Sequence, residues 1–209
     1  MQSINFDPWF DALTAEKACT MLRRVITARL QAVLRTRRAS SGFRPVIGIE
    51  CHVQLNTPTK AFCRCAPSTT APPNTHVCGV CLGEPGSLPV ASVDAPLLGL
   101  QAAVALDCED LSETLEWDRK NYSYPDLPKG YQITQARTPL ARSGKVQIDE
   151  RTVRITSLHL EEDSAKTTDV IDHNRAGIAL AEIVTEPDMS SGKEAAAFVR
   201  ELQQVVKRC

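Results

Sequence analysis

The chain has no apolar run approaching the roughly 20 residues that a membrane-spanning helix needs, so no helical membrane span is expected. It has no GxxxxGK[ST] phosphate loop and no GxGxxG turn, which leaves a P-loop or Rossmann nucleotide site without support. Nothing in it resembles a secretory signal, and without an oxidising compartment its cysteines are poor candidates for disulfides. Internal repeats and low-complexity tracts are also missing. What remains is the composition of an ordinary soluble globular protein. The 43% hydrophobic and 23% charged content over 209 residues suffices for one large domain or two small ones.

One absence is local. Residues 21–44, MLRRVITARLQAVLRTRRASSGFR, contain seven arginines and no Asp or Glu. The overall charge of −1 therefore hides a net +5 over 1–44 and a net −6 over 45–209. Leu22, Val25, Ile26, Leu30, Val33 and Leu34 recur at helical spacing, with Arg23, Arg35 and Arg38 off that stripe. Arginine-rich, acid-free and ending in serines, the segment has the composition of an organelle transit peptide. The blander alternative is a basic surface helix or an arm touching RNA. The transit reading makes residues 1–43 an extension, with a mitochondrion or chloroplast as destination and the cytoplasm if it fails. Residues 1–20 hold three acids and do not look like targeting sequence, so initiation at Met21 is expected. Cys209 follows the helix-like GKEAAAFVRELQQVVKR without a capping residue, and the expectation is a fragment of something longer.

Half of the eight cysteines lie in FCRCAPSTTAPPNTHVCGVCLG, residues 62–83. Cys63 and Cys65 form one close pair, Cys78 and Cys81 the other, and twelve residues separate the pairs. A redox CxxC normally stands alone at a helix start. Two facing pairs instead suit four thiolates around one Zn²⁺, a closed site whose role is structural. Gly79 and Gly83 allow the tight bends of such a knuckle. His76 is near enough to substitute, but four cysteines leave it no vacancy. Cys19, Cys51, Cys108 and Cys209 lack partner spacing and are expected to be free thiols.

Upstream, RPVIGIECHVQLN (44–56) alternates, with Ile47, Ile49, Cys51, Val53 and Leu55 on one face and Gly48, Glu50, His52 and Gln54 on the other. That period of two is a half-buried strand. Taken alone, it is a solvated strand face. VRITSLHLEEDSAK (153–166) is strand-like, with His159, Glu161 and Asp163 opposing Leu158, Leu160 and Glu162. AGIALAEIVTEPD (176–188) is an apolar strand interrupted by Glu182. A lone carboxylate there is costly unless paired or metal-bound. Convergence of these strands would suit Mg²⁺, which takes a few oxygen ligands and the phosphates of a nucleotide. WDRKNYSYPDLPKGYQITQ (117–135) mixes Arg119, Lys120 and Lys129 with Tyr122, Tyr124 and Tyr131, a loop fit for stacking and phosphate contact or simply an exposed connector. A helix is expected over 94–107, capped by Asp94, and another over about 192–208. The class is α+β, with a mixed or mainly antiparallel sheet, few helices and a zinc-knuckle insertion.

VIGIECHVQL, DRKNYSYPDLPKGYQI, LHLEEDSAK and DHNRAGIALAEIVTEPD resemble, in order and spacing, the B subunit of the tRNA-dependent amidotransferases acting on Glu-tRNA(Gln) and Asp-tRNA(Asn). The likeness covers essentially all of 44–209, taken as the catalytic cradle domain. It implies ATP and Mg²⁺ as cofactors, with zinc in the cysteine insertion. It also implies phosphorylation of the side-chain carboxylate on mischarged aminoacyl-tRNA, then displacement of phosphate by ammonia. A glutaminase A subunit would supply the ammonia through a tunnel, and a small C subunit or its organellar equivalent would complete the assembly. The family's metal ligands map onto His52, Glu161 and Glu182, with Glu50 and Glu162 in support. Lys120 is the candidate for phosphate or substrate contact, with Tyr122 beside it. Three departures stand out: Ala165 replaces a glycine, with a special backbone angle at stake, Ala179 a common proline, and Cys51 a valine.

Two rivals remain, a zinc-stapled non-catalytic RNA-binding module and an inactive fragment. The net −6 over 45–209 weighs against the first, because phosphate binding wants a basic surface. If the transit reading holds, sequencing the mature protein from its source cell finds an N-terminus between about Ser40 and Pro45. A mature chain beginning at Met1 refutes it.

Overall fold

The computed structural model describes residues 43–209. The basic N-terminal segment, with the transit-peptide and Met21 expectations, lies outside the described residues. In chain order the elements begin with β1 (Glu50–Gln54), α1 (Gly79–Leu82), α2 (Asp94–Ala105), β2 (Asp110–Leu111), β3 (Asp118–Asn121) and β4 (Tyr131–Thr134). They continue with β5 (Ala141–Ile148), β6 (Arg151–Glu162), β7 (Lys166–Thr167), β8 (Ile171–Asp172), β9 (Ala179–Thr185) and α3 (Gly192–Arg208).

Five strands form one sheet in the order β1-β9-β6-β5-β2, while β3-β4 and β7-β8 are separate two-stranded ribbons. Every strand pair among the described residues is antiparallel. The α+β class is as expected, in its antiparallel form, because short links such as that from β5 to β6 can only reverse the chain. The first strand returns to pair with the last, so β9 lies between β1 and β6 and is buried along most of its length.

The alternation decides which way each face looks. Leu158 pairs with Ile183, which pairs with Cys51, and Leu160, Ala181 and Val53 form the next row. This apolar face carries the core and is covered by α2 and α3, through Ala102, Ala103, Phe198 and Leu202. A Cβ on Gly99 would stand 2.6 Å from a Leu140 methyl, so glycine lets α2 lie close to the sheet. Cys51 is half-buried here with its thiol free.

The ends of the helices depart slightly from expectation. Asp94 is not the cap but sits in the first turn of α2; its amide donates to Ser92 Oγ at 3.2 Å. The helix stops at Ala105 because Asp107 turns left-handed at φ 55° and donates its amide to the Val104 carbonyl. Ser191 caps α3 by accepting from the Glu194 amide at 3.3 Å, and the Glu194 carboxylate accepts from the Ser190 amide at 2.7 Å. The basic, tyrosine-rich stretch 117–135 is a β-hairpin rather than a loop, with Lys120 opposite Gln132 and Asn121 opposite Tyr131. Ala165 is buried with ordinary backbone angles, so the glycine it replaces is not needed for a left-handed turn here.

The amphipathic face of α3 yields a stability contrast. Phe198 is fully buried and Val199 is exposed on the same turn. Phe198→Ala should cost about 3–5 kcal/mol in urea unfolding, while Val199→Ala stays within about 0.5 kcal/mol.

Candidate functional site

The polar face of the sheet opposes the helices, and its chemistry is set by register. Glu182 on β9 stands opposite His52 on β1 and opposite His159 on β6. Residues directly across antiparallel strands share a face, so one carboxylate sits between two imidazoles. Glu161 and Glu50, each two residues along from a histidine, join the same face. His52 Nε2 lies 2.9 Å from Glu161 Oε1 and 3.7 Å from Glu182 Oε2, and His159 Nε2 lies 2.7 Å from Glu182 Oε2. The side chain of Glu161 is 6% exposed and that of His52 51%, so the cluster is buried at its floor and open at its mouth.

That mouth is a cleft of about 500 Å³, and Glu50, Lys120, Tyr122, Gln132 and Asp163 line it around the cluster. The hairpin β3-β4 forms one wall and delivers Lys120 and Tyr122. Burial first, then the charge of Glu182, pushes Glu161 up to about 7, against the pull of His52 and Lys120. Crowded carboxylates facing an imidazole nitrogen require a proton or a cation among them. Ligand atoms of His52, Glu161 and Glu182 all lie within 4.8 Å of one another, which suits a single metal ion. Tyr122 keeps its phenol proton, because burial and the nearby acids Asp126 and Glu161 raise it.

Glu162 is not brought to this cluster. Its neighbour Glu161 faces the cleft, so alternation turns Glu162 to the opposite side of β6. There it is buried, both carboxylate oxygens accept from Lys129 Nζ, and one accepts from the Ile133 amide at 3.0 Å. Burial raises Glu162 from the usual carboxylate range, and Lys129 works against that rise.

The cysteine insertion lies on that second side. Cys63, Cys65, Cys78 and Cys81 converge with their sulfurs within 4.8 Å, and could hold a metal ion. Cys63 Sγ is 3.5 Å and Cys78 Sγ 3.8 Å from Cys81 Sγ, and all four are free thiols. The hydrogen bond from Cys63 draws Cys81 down to about 4, with Lys60 adding to the pull, while Cys63 rises. His76 is not in the cluster; its amide instead donates to Asn174 Oδ1 at 2.8 Å. At the end of α1, Gly83 takes φ 67°, and a Cβ there would meet the backbone of Pro128 and Lys129 at 2.7–2.8 Å. The knuckle therefore presses on the turn that supplies Lys129.

Two residues of these sites carry little signal in the sequence. Alternation puts His159 on the acidic face but gives it no role, although it stands two residues before Glu161. Lys60 carries no signal at all.

Residues 45–209 match the family described as the GatB/GatE catalytic domain. The chain is 48% identical over 177 residues to the B subunit of the aspartyl/glutamyl-tRNA(Asn/Gln) amidotransferase of Thermosipho melanesiensis, covering 79% of this chain and 37% of that protein. It is 44% identical over 209 residues to the chloroplastic/mitochondrial B subunit of the glutamyl-tRNA(Gln) amidotransferase of Sorghum bicolor, covering 93% and 37%. To the corresponding protein of Ostreococcus lucimarinus it is 45% identical over 190 residues, covering 82% and 38%. The chain thus spans little more than a third of the length of these relatives.

The ion pair behind the cleft is open to test. Lys129→Met leaves a buried carboxylate without its cation and should cost about 3–5 kcal/mol in denaturant unfolding. Adding Glu162→Gln should recover part of that loss, a coupling that a double-mutant cycle measures.

Proposed function

This chain belongs to the GatB/GatE catalytic domain family, and from that premise we propose that its cleft activates and amidates the side-chain carboxylate of a mischarged aminoacyl-tRNA. The observation that carries this is the meeting of His52, Glu161 and Glu182 at the floor of a cleft walled by Lys120 and Tyr122. A carboxylate oxygen is a poor leaving group and phosphate a good one. ATP therefore phosphorylates the carboxylate, and ammonia then displaces phosphate to leave the amide.

His52, Glu161 and Glu182 would hold Mg²⁺, an assignment supported by their two carboxylates and one imidazole and by the burial of Glu161. Held there, the ion would offset charge on a transferring phosphoryl group. His159 holds Oε2 of Glu182, the oxygen that also faces His52 Nε2, and so fixes the orientation of that carboxylate. Lys120, close enough to stabilise the charge of Glu161, is placed to meet phosphate. Tyr122 offers a protonated hydroxyl and a ring for stacking. Glu50, exposed at the edge of the cleft, is the base available to take the proton that ammonia loses as its nitrogen bonds to carbon. Glu162 acts from behind, by anchoring Lys129 and the turn of the β3-β4 hairpin.

The relatives' names support a substrate that is Glu-tRNA(Gln), Asp-tRNA(Asn) or both, and a place in an assembly of several different subunits. A glutaminase A subunit and a small third subunit would complete that enzyme. The plant and algal names support a mitochondrial or chloroplast location. An acidic cleft lends nothing to the alternative of a simple RNA-binding module. The cysteine cluster is assigned to structural Zn²⁺. Four sulfurs about 2.3 Å from a tetrahedral ion stand about 3.8 Å apart, close to the 3.5 and 3.8 Å found here.

In the full-length protein with its A partner, Glu182→Ala and Glu161→Ala should each lower ATP-dependent formation of amidated tRNA by roughly 100-fold or more. Zinc content and basal glutaminase activity should hold. Near wild-type amidation by both variants in saturating Mg²⁺ overturns the assignment.

A further inference from the structure

Lys60 is fully buried, which is costly for a cation unless its charge and donors are met. Its Nζ has three acceptors: the His76 carbonyl at 3.0 Å, the His173 carbonyl at 3.1 Å and Cys81 Sγ at 3.3 Å. An ammonium has three N–H donors, whereas a neutral amine has two and a lone pair that would face an acceptor. Three acceptors around one nitrogen match the three N–H donors of an ammonium. Two of them are neutral carbonyls. The sulfur is the partner able to carry the compensating negative charge.

We propose that Lys60 is the charged outer-sphere partner of the cysteine metal site, bonded to the Cys81 thiolate and neutralising part of the excess charge of four thiolates on one divalent ion. This rests on the zinc assignment and goes beyond it, because it gives the site a fifth essential residue that is not a ligand. A Zn²⁺ with four thiolates carries a net charge of −2, and an adjacent ammonium brings the assembly to −1. A hydrogen-bonded thiolate is also a weaker nucleophile, so Lys60 makes Cys81 the most protected of the four sulfurs. The same side chain ties the knuckle to the segment before β9. His173 accepts from Lys60, the Asn74 side chain accepts from the His173 amide, and the Ala61 amide donates to the Gly177 carbonyl. One buried cation thereby serves the metal site and the strand that carries Glu182.

The test compares zinc release from wild-type and Lys60→Met full-length protein into excess pyridylazoresorcinol near neutral pH, with iodoacetamide trapping and mass mapping of each cysteine. Lys60→Met should release zinc about 10- to 100-fold faster, with Cys81 alkylated ahead of Cys63, Cys65 and Cys78. A folded variant that keeps the wild-type rate overturns the proposal. So does faster release with all four cysteines alkylated together, which is the signature of general loosening. If the variant does not fold, wild-type protein loaded with NMR-active cadmium and isotope-labelled lysine decides the matter. A slowly exchanging Lys60 ammonium signal coupled to the metal through the Cys81 sulfur supports the proposal, and its absence overturns it. Zinc missing from the wild-type protein removes the metal assignment itself, whereas zinc held equally by both proteins overturns the role of Lys60 alone.

Discussion

A carboxylate placed in an interior strand of a sheet has a neighbouring strand on either side, and the position of Glu182 on β9 makes that demand on the fold. β1 and β6 flank β9 in a register that sets His52 on one side and His159 on the other. A slip of one residue would turn both imidazoles to the helix-covered face and bring Cys51 or Leu158 to the cleft. Register and site are therefore one constraint. Because the polar groups share one face, α2 and α3 have only the other to cover, and their burial of Leu158, Leu160 and Ile183 holds the register in place.

The end of β6 carries a second consequence of the same alternation. Glu161 looks into the cleft and Glu162 away from it, so consecutive acids serve opposite sides of one strand. Behind the strand, charge is balanced in a short series of buried pairs: Glu162 with Lys129, and Lys60 with Cys81. Gly83 lets the cysteine knuckle approach the Pro128–Lys129 backbone so closely that no side chain would fit. The knuckle is thus a buttress, unlike the cleft residues in chemistry but next to them in packing. Its close packing supports the turn of the hairpin that supplies Lys120 and Tyr122.

Much of this is legible in the chain because it is local. The period of two in 47–55 and in 153–163 assigns each side chain to a face, and the cysteine spacing places four thiols within reach of one another. Helix ends are less legible: Asp94 reads as the cap, yet the cap position falls on Val93, and the Asp94 amide donates to Ser92 Oγ. The 117–135 stretch reads as a loop because its prolines and charges mask the alternation that pairs Lys120 with Gln132.

Which residues share a strand face follows from the chain alone, since alternation is a property of the backbone and needs no partner. The cysteine cluster follows for a similar reason, close pairs on a short loop having few other ways to meet. Other features exist only once the chain is folded: Glu182 between two histidines, Glu162 against Lys129, and Lys60 as a charged group bound to a sulfur. Each of those depends on partners that approach from elsewhere in the chain, His173 being 113 positions from Lys60. Register and burial select such partners, and neither is written in any short stretch of residues.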